Sequence, residues 1–123
     1  MTDRVRALVP YAHVASVADS IDFYSKLGFE VRNRVGGANE PLDWAWLQSG
    51  DAALMIARAS GPIDREQQAI FFYVYCDDAA AMRARLIAGG VRCGDIATPF
   101  WAPRGEFRIE DPDGYMIMVS HTP

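Results

Sequence analysis

Histidine and cysteine are scarce in this chain of 123 residues, with 2 of each. That scarcity excludes a disulfide-dense scaffold and any zinc site built on four thiolates, because both need more sulfur than Cys76 and Cys93 supply. A lone disulfide between them stays open, although two scattered thiols point to a reducing compartment. No run of four basic residues occurs, the net charge is -4 and the isoelectric point is near 5.0, which argues against nucleic acid as a partner. No apolar run approaches membrane-spanning length, and the amino end, Met-Thr-Asp-Arg-Val-Arg, lacks the apolar region of a signal peptide. A cytoplasmic protein without a membrane partner is therefore expected. Gly-x-Ser-x-Gly, phosphate-loop and His-Glu-x-x-His patterns are also missing, so nucleophilic catalysis has little support.

What is present is a hydrophobic half, 50% of the residues, enough for one domain over residues 1–123 with a real core. The organising stretch is Ser20 to Val31. Ile21, Phe23, Tyr24 and Leu27 make an apolar stripe one helical face wide, Ser16 or Asp19 serves as N-cap, and Gly28 ends the helix. An offset of 62 residues repeats the plan: Gly28 falls on Gly90, Ser16 on Asp78 and Val9 on Phe71, with the second helix running through Met82, Leu86 and Ile87. Side-chain identity between the copies is poor, so the repeat is one of supersecondary structure.

In chain order the first module, residues 4–59, is expected to hold a strand from Arg4 to Val14, the helix, a strand from Phe29 to Val35, a third from Leu42 to Gln48 and, after a turn at Ser49-Gly50-Asp51, a fourth from Ala52 to Ala59. Residues 60–68 are polar and turn-rich, a linker. The second module, residues 69–121, repeats the order with strands at Ala69 to Cys76, Val91 to Ile96, Glu106 to Glu110 and Tyr115 to Ser120, and a helix from Asp78 to Ala88. Pro112-Asp113-Gly114 marks the turn between the last two strands. The fold class is α+β, two βαβββ modules.

Strand parity then sorts side chains by face. One face collects Tyr11, His13, Trp44, Trp46, Met55, Phe71, Tyr73, Tyr75, Met116 and Met118, with Trp46 set near Met55 and Trp44 near Ala57. The other carries Leu8, Val14, Leu54, Ile56, Phe72, Val74, Ile117 and Val119, the smooth aliphatic surface that two helices need. Since two helices cover one face, the aromatic face is expected to line a ligand cleft, or else to form a dry subunit contact. Arg108 is the charge expected on that face, near Met118, either as an anchor for an anion or as a surface arginine paired with Glu106 or Glu110. The loop Thr98 to Gly105, with Phe100 and Trp101 between two prolines, is a candidate lid, a plug over the core or a dimer contact. Cys76 falls on the helix-facing side; the role of Cys93 stays open.

Ser20-Ile21-Asp22-Phe23-Tyr24 followed by Leu27-Gly28-Phe29, the Gly50-Asp51 turn, and Phe107 to Tyr115 (Phe-Arg-Ile-Glu-Asp-Pro-Asp-Gly-Tyr) together resemble the vicinal oxygen chelate superfamily of glyoxalase I, extradiol dioxygenases and the bleomycin and fosfomycin resistance proteins. The resemblance implies paired glyoxalase-type modules whose curved sheets face each other around a cleft, commonly in a homodimer. Metal-dependent members draw a His or Glu from the first strand of each module and a Glu from the last. Alignment on the motifs puts Val9, Met55, Phe71 and Met118 there, none of them a ligand for a hard or borderline cation. A slip of one residue offers only Leu8 or Pro10, Leu54 or Ile56, Ile70 or Phe72, and Ile117 or Val119.

The leading expectation is a protein without metal, cofactor or catalytic residue, similar to bleomycin resistance proteins, that sequesters a small aromatic or amphipathic molecule. Its ligand-binding candidates are Tyr11, His13, Trp44, Trp46, Met55, Phe71, Tyr73, Tyr75, Trp101, Arg108 and Met118. Two alternatives stand beside it: a glyoxalase or dioxygenase type of enzyme with nonstandard ligands such as His13 and Glu106 or Glu110, and a non-catalytic dimeric module.

Overall fold

Both helices are punctuated at each end by the residues that the repeat singles out. In the computed structural model, which describes residues 3–122, the first helix α1 (Val17–Lys26) is capped by Ser16, whose hydroxyl accepts from the backbone N–H of Asp19 at 3.2 Å. The second helix α2 (Ala79–Ala88) is capped by Asp78, whose carboxylate accepts from Ala81 N–H at 3.0 Å. Each ends in a paired backbone turn around a glycine of positive φ, Gly28 (99°) and Gly90 (88°). Phe29 N–H reaches Tyr24 O and Gly28 N–H reaches Ser25 O; Val91 N–H reaches Leu86 O and Gly90 N–H reaches Ile87 O. Only a residue without Cβ takes that conformation at no steric cost, which is why both helices stop there.

The chain divides into two compact units, Met1–Pro62 and Ile63–Pro123. The first holds a four-stranded sheet of order β1-β4-β3-β2, formed by β1 (Tyr11–Val14), β2 (Glu30–Gly36), β3 (Leu42–Ser49) and β4 (Ala52–Arg58). β1 runs parallel to β4 and the other neighbours are antiparallel, with Trp46 opposite Met55 and Trp44 opposite Ala57. α1 packs on this sheet, burying Phe23 and Tyr24 against a face made by Ala12, Val14, Ala45, Leu47, Leu54 and Ile56.

The second unit holds a three-stranded sheet of order β5-β7-β6, from β5 (Phe71–Cys76), β6 (Glu106–Glu110) and β7 (Met116–His121), with β5 parallel and β6 antiparallel to β7. α2 packs on β6 and β7. Leu86 joins Phe107, Ile109, Ile117 and Val119 in the buried layer. The mixed α+β architecture of two small sheets and two helices is the fold class that the sequence implies.

Three expectations are corrected. The first strand begins at Tyr11, not Arg4; its ladder with β4 starts at the Tyr11 and Met55 pair, Pro10 has no N–H to donate, and Leu8, at 85% exposed, lies outside the buried layer. Val91 to Ile96 does not form a ladder. Gly94 N–H reaches Arg108 O, and Ala97 bridges Glu106, so this segment follows the edge of β6 at two points only. Ile87 is exposed because it is one residue off the α2 stripe of Ala79 and Leu86. Within residues 60–68, Arg65–Gln67 form a 3-10 turn, and the Arg65 guanidinium donates to Pro112 O and pairs with Glu110 at 3.1 Å. Gln68 adds a bond to Asp113 O at 3.1 Å, so this segment clamps the turn before β7. Among the described residues no helix is long and apolar enough to cross a membrane.

Candidate functional site

Alternation along the strands decides what each sheet leaves open. On β1 the pattern is strict, with Ala12 and Val14 buried and Tyr11 and His13 exposed, their rings edge to face at 5.6 Å. Trp44, Trp46 and Met55 are half-buried on β3 and β4 and share this face by register, since Tyr11 and Trp46 both pair with Met55. The Trp46 indole N–H donates to Gln48 Oε1 at 2.9 Å, which holds the ring from its edge and leaves a flat apolar surface. Gln48 is a residue the sequence reading missed. Its parity with Trp46 on β3 was the available signal.

On the second sheet Phe71, Tyr73 and Tyr75 stand exposed along β5, with Phe72, Val74 and Cys76 turned to the helix side. Tyr73 and Tyr75 stack at 5.8 Å with 28° between their planes. Met116 and Met118 on β7 pair with Phe71 and Tyr73 and present adaptable thioethers to the same face. Arg108 lies opposite Met118 on β6, and its guanidinium carbon sits 5.0 Å from the Phe71 ring centroid. That is a cation–π contact rather than the carboxylate pairing that was one alternative, because Glu110 is taken by Arg65.

Glu106 is the second residue at this candidate site that lies outside the ligand-binding candidates read from the sequence. It shares the Arg108 face, is 4% exposed, and accepts from the Tyr73 hydroxyl at 3.5 Å. Strand parity two residues before Arg108 was the signal for it.

Trp101 lies outside the strands of its own unit, in the loop after the Ala97 bridge. It is 62% exposed and Phe100 is 91% exposed, and their rings meet edge to face at 5.0 Å. Hydrogen bonds from Ala102 N–H to Pro99 O and from Gly105 N–H to Ala102 O make the loop two tight turns around the buried Ala102. His121 is at the far end of β7, where Nδ1 accepts from Ala79 N–H at 3.4 Å at the start of α2. Both cysteines are free thiols whose pKa is pushed up, chiefly by burial; at Cys76 the Asp78 backbone hydrogen bond and Arg85 oppose the rise while the Asp77 and Asp78 charges add to it, and at Cys93 Arg83 opposes it.

The four positions at which the resemblance places metal ligands carry hydrocarbon or thioether side chains, Val9, Met55, Phe71 and Met118. These do not fit a hard or borderline divalent cation. Among the described residues no three His, Cys, Asp or Glu side chains are grouped to hold one.

With that geometry in hand, comparison places the chain among known proteins. The model of the Glyoxalase/Bleomycin resistance protein/Dioxygenase superfamily matches residues 9–119. A bleomycin resistance determinant encoded on the transposon Tn5 is similar at 22% identity and a TM-score of 0.76, over 98% of each chain. A bleomycin-binding protein solved in complex with bleomycin gives 21% identity and 0.76, over 99% of this chain and 100% of that one. TnmS3, an antibiotic binding protein from Streptomyces sp. CB03234, gives 19% identity and 0.77 over 100% of both. No curated protein matches the sequence. At these identities the likeness establishes the fold.

Proposed function

Because this chain belongs to the Glyoxalase/Bleomycin resistance protein/Dioxygenase superfamily, we propose that it binds and sequesters a small planar or aromatic molecule, without metal and without turnover. The observation that carries this reading is the row of exposed rings Phe71, Tyr73 and Tyr75 on a sheet whose opposite face is packed by α2 over β6 and β7. Exposed aromatic rows of this kind are surfaces awaiting a partner. Tyr11, His13, Trp44, Trp46 and Met55 offer a second such surface, Arg108 and Met118 belong to the first, and Trp101 contributes an exposed loop ring.

Binding would come from stacking and from apolar area removed from water, at roughly 25 cal/mol per Å² before ordering costs are subtracted. An antibiotic is a natural candidate, given that solved proteins of this fold include a bleomycin-binding protein in complex with bleomycin and an antibiotic binding protein. The apolar donor set at the ligand positions favours this reading over metal-dependent turnover. The reading includes a homodimer, as the family resemblance implies, and a cytoplasmic setting, in keeping with two free thiols.

The test is a calorimetric titration with planar aromatic compounds, bleomycin among them. Loss of a stacked indole is worth about 1 kcal/mol or more beyond area, so Trp46→Ala weakens binding roughly tenfold. Unchanged affinity in both Trp44→Ala and Trp46→Ala would overturn the assignment of the first sheet to the site.

A further inference from the structure

We infer that Glu106, with Tyr73, makes the aromatic face of the second sheet selective for planar ligands that carry a protonated amine. The inference rests on the aromatic-binding reading above and adds the charge of the ligand to it.

Three observations lead to it. Glu106 is 4% exposed, yet its carboxylate belongs to the open face of the sheet, because the Tyr73 hydroxyl on that face donates to its Oε1 at 3.5 Å. A carboxylate removed from water needs a cation or several donors to offset its lost hydration. Among the described residues it has neither. The ion pairs join other groups: Asp22, Asp43, Asp95 and Glu110 take the bases. Arg108, two residues along on the same face, leans over the Phe71 ring. Ser120, directly opposite Glu106 in the ladder, donates its hydroxyl to His121 O at 3.5 Å. Among the described residues the polar side-chain partner of Glu106 is thus a phenol at the limit of hydrogen-bond length.

The surroundings supply the other half of a cation site. Tyr73 and Tyr75 form a stacked pair beside the carboxylate, and aromatic faces attract cations as well as flat rings. A planar ring laid against these tyrosines with an ammonium directed at Glu106 gains stacking, cation–π attraction and a charge-assisted hydrogen bond together. A neutral ring of the same size gains only the first, and an anionic one meets the carboxylate.

The experiment measures dissociation constants for three probes, cationic proflavine, neutral acridone and anionic 1-anilinonaphthalene-8-sulfonate, with the whole chain and with Glu106→Gln. The inference predicts that proflavine binds the unaltered chain about tenfold more tightly than acridone, and the anion more weakly than either. Glu106→Gln removes the preference by lowering proflavine affinity toward that of acridone. Equal affinities for proflavine and acridone, or a preference that survives in a folded Glu106→Gln chain, would overturn this inference while the aromatic-binding reading stands. Failure of all three probes to bind folded protein would overturn both. Should Glu106→Gln not fold, as circular dichroism would show, the ratio measured on the unaltered chain decides alone.

Discussion

The two units solve the same folding problem with different amounts of sheet. In the first, the segment after the helix becomes β2, seven residues hydrogen-bonded along β3. In the second, the corresponding segment from Val91 to Ile96 is, among the described residues, hydrogen-bonded to β6 at Gly94 and, one residue past its end, at Ala97, and the Arg83 guanidinium holds it from α2 by a bond to Gly94 O at 2.8 Å. The open faces differ as well. The first presents indoles, a tyrosine, an imidazole and a thioether, whereas the second sets Glu106 and Arg108 among its rings. A repeat therefore conserves what starts and stops the helices and where the buried layer lies, and leaves the rest of the sheet to be adapted.

The sharpest way to break that comparison is to truncate buried and open faces side by side. Phe107→Ala removes a ring that is 1% exposed and lowers unfolding free energy by about 3–5 kcal/mol, and Ile56→Ala in the first unit by about 2–5 kcal/mol. Tyr75→Ala, on the open face, stays within about 1 kcal/mol. Urea denaturation measures all three. A Tyr75→Ala loss as large as that of Phe107→Ala would mean that the face is not open at all.

Next in size are the glycines. Gly90→Ala meets open space, so its cost is the left-handed conformation alone, about 1–2 kcal/mol. Gly114→Ala adds a collision, since a Cβ there would lie 2.6 Å from Arg65 O, and it loses more. Equal losses at the two sites would show that the clamp of residues 65–68 on the turn before β7 yields freely. Smallest are the caps. Ser16→Ala and Asp78→Ala each lose about 1 kcal/mol, by the same amount if the helix starts are equivalent, as read from shifts in the denaturation midpoint.

Much of this was legible in the residues because it is local. Ser16, Gly28, Asp78 and Gly90 act within one turn of themselves, and the pairing of Trp46 with Met55 and of Arg108 with Met118 follows from the intervening turns. The misreadings are all matters of neighbours. Arg4 to Val14 has the alternation of a strand, but a strand exists only as far as a partner ladder reaches, and here that is Tyr11 to Val14. Val91 to Ile96 likewise has strand-like residues and too few partners. Within the candidate site, parity placed the aromatic rows. It could not tell that Arg108 would turn to Phe71, nor that Glu106 would be buried against Tyr73, because both depend on how long side chains lie across β7.

The most direct test of the account is equilibrium dialysis of EDTA-treated chain against planar aromatic compounds, with the metal content of the same samples read by elemental mass spectrometry. The account predicts saturable binding to metal-free protein, with no change when a divalent-metal mixture is restored. Binding that appears only with stoichiometric metal would contradict it.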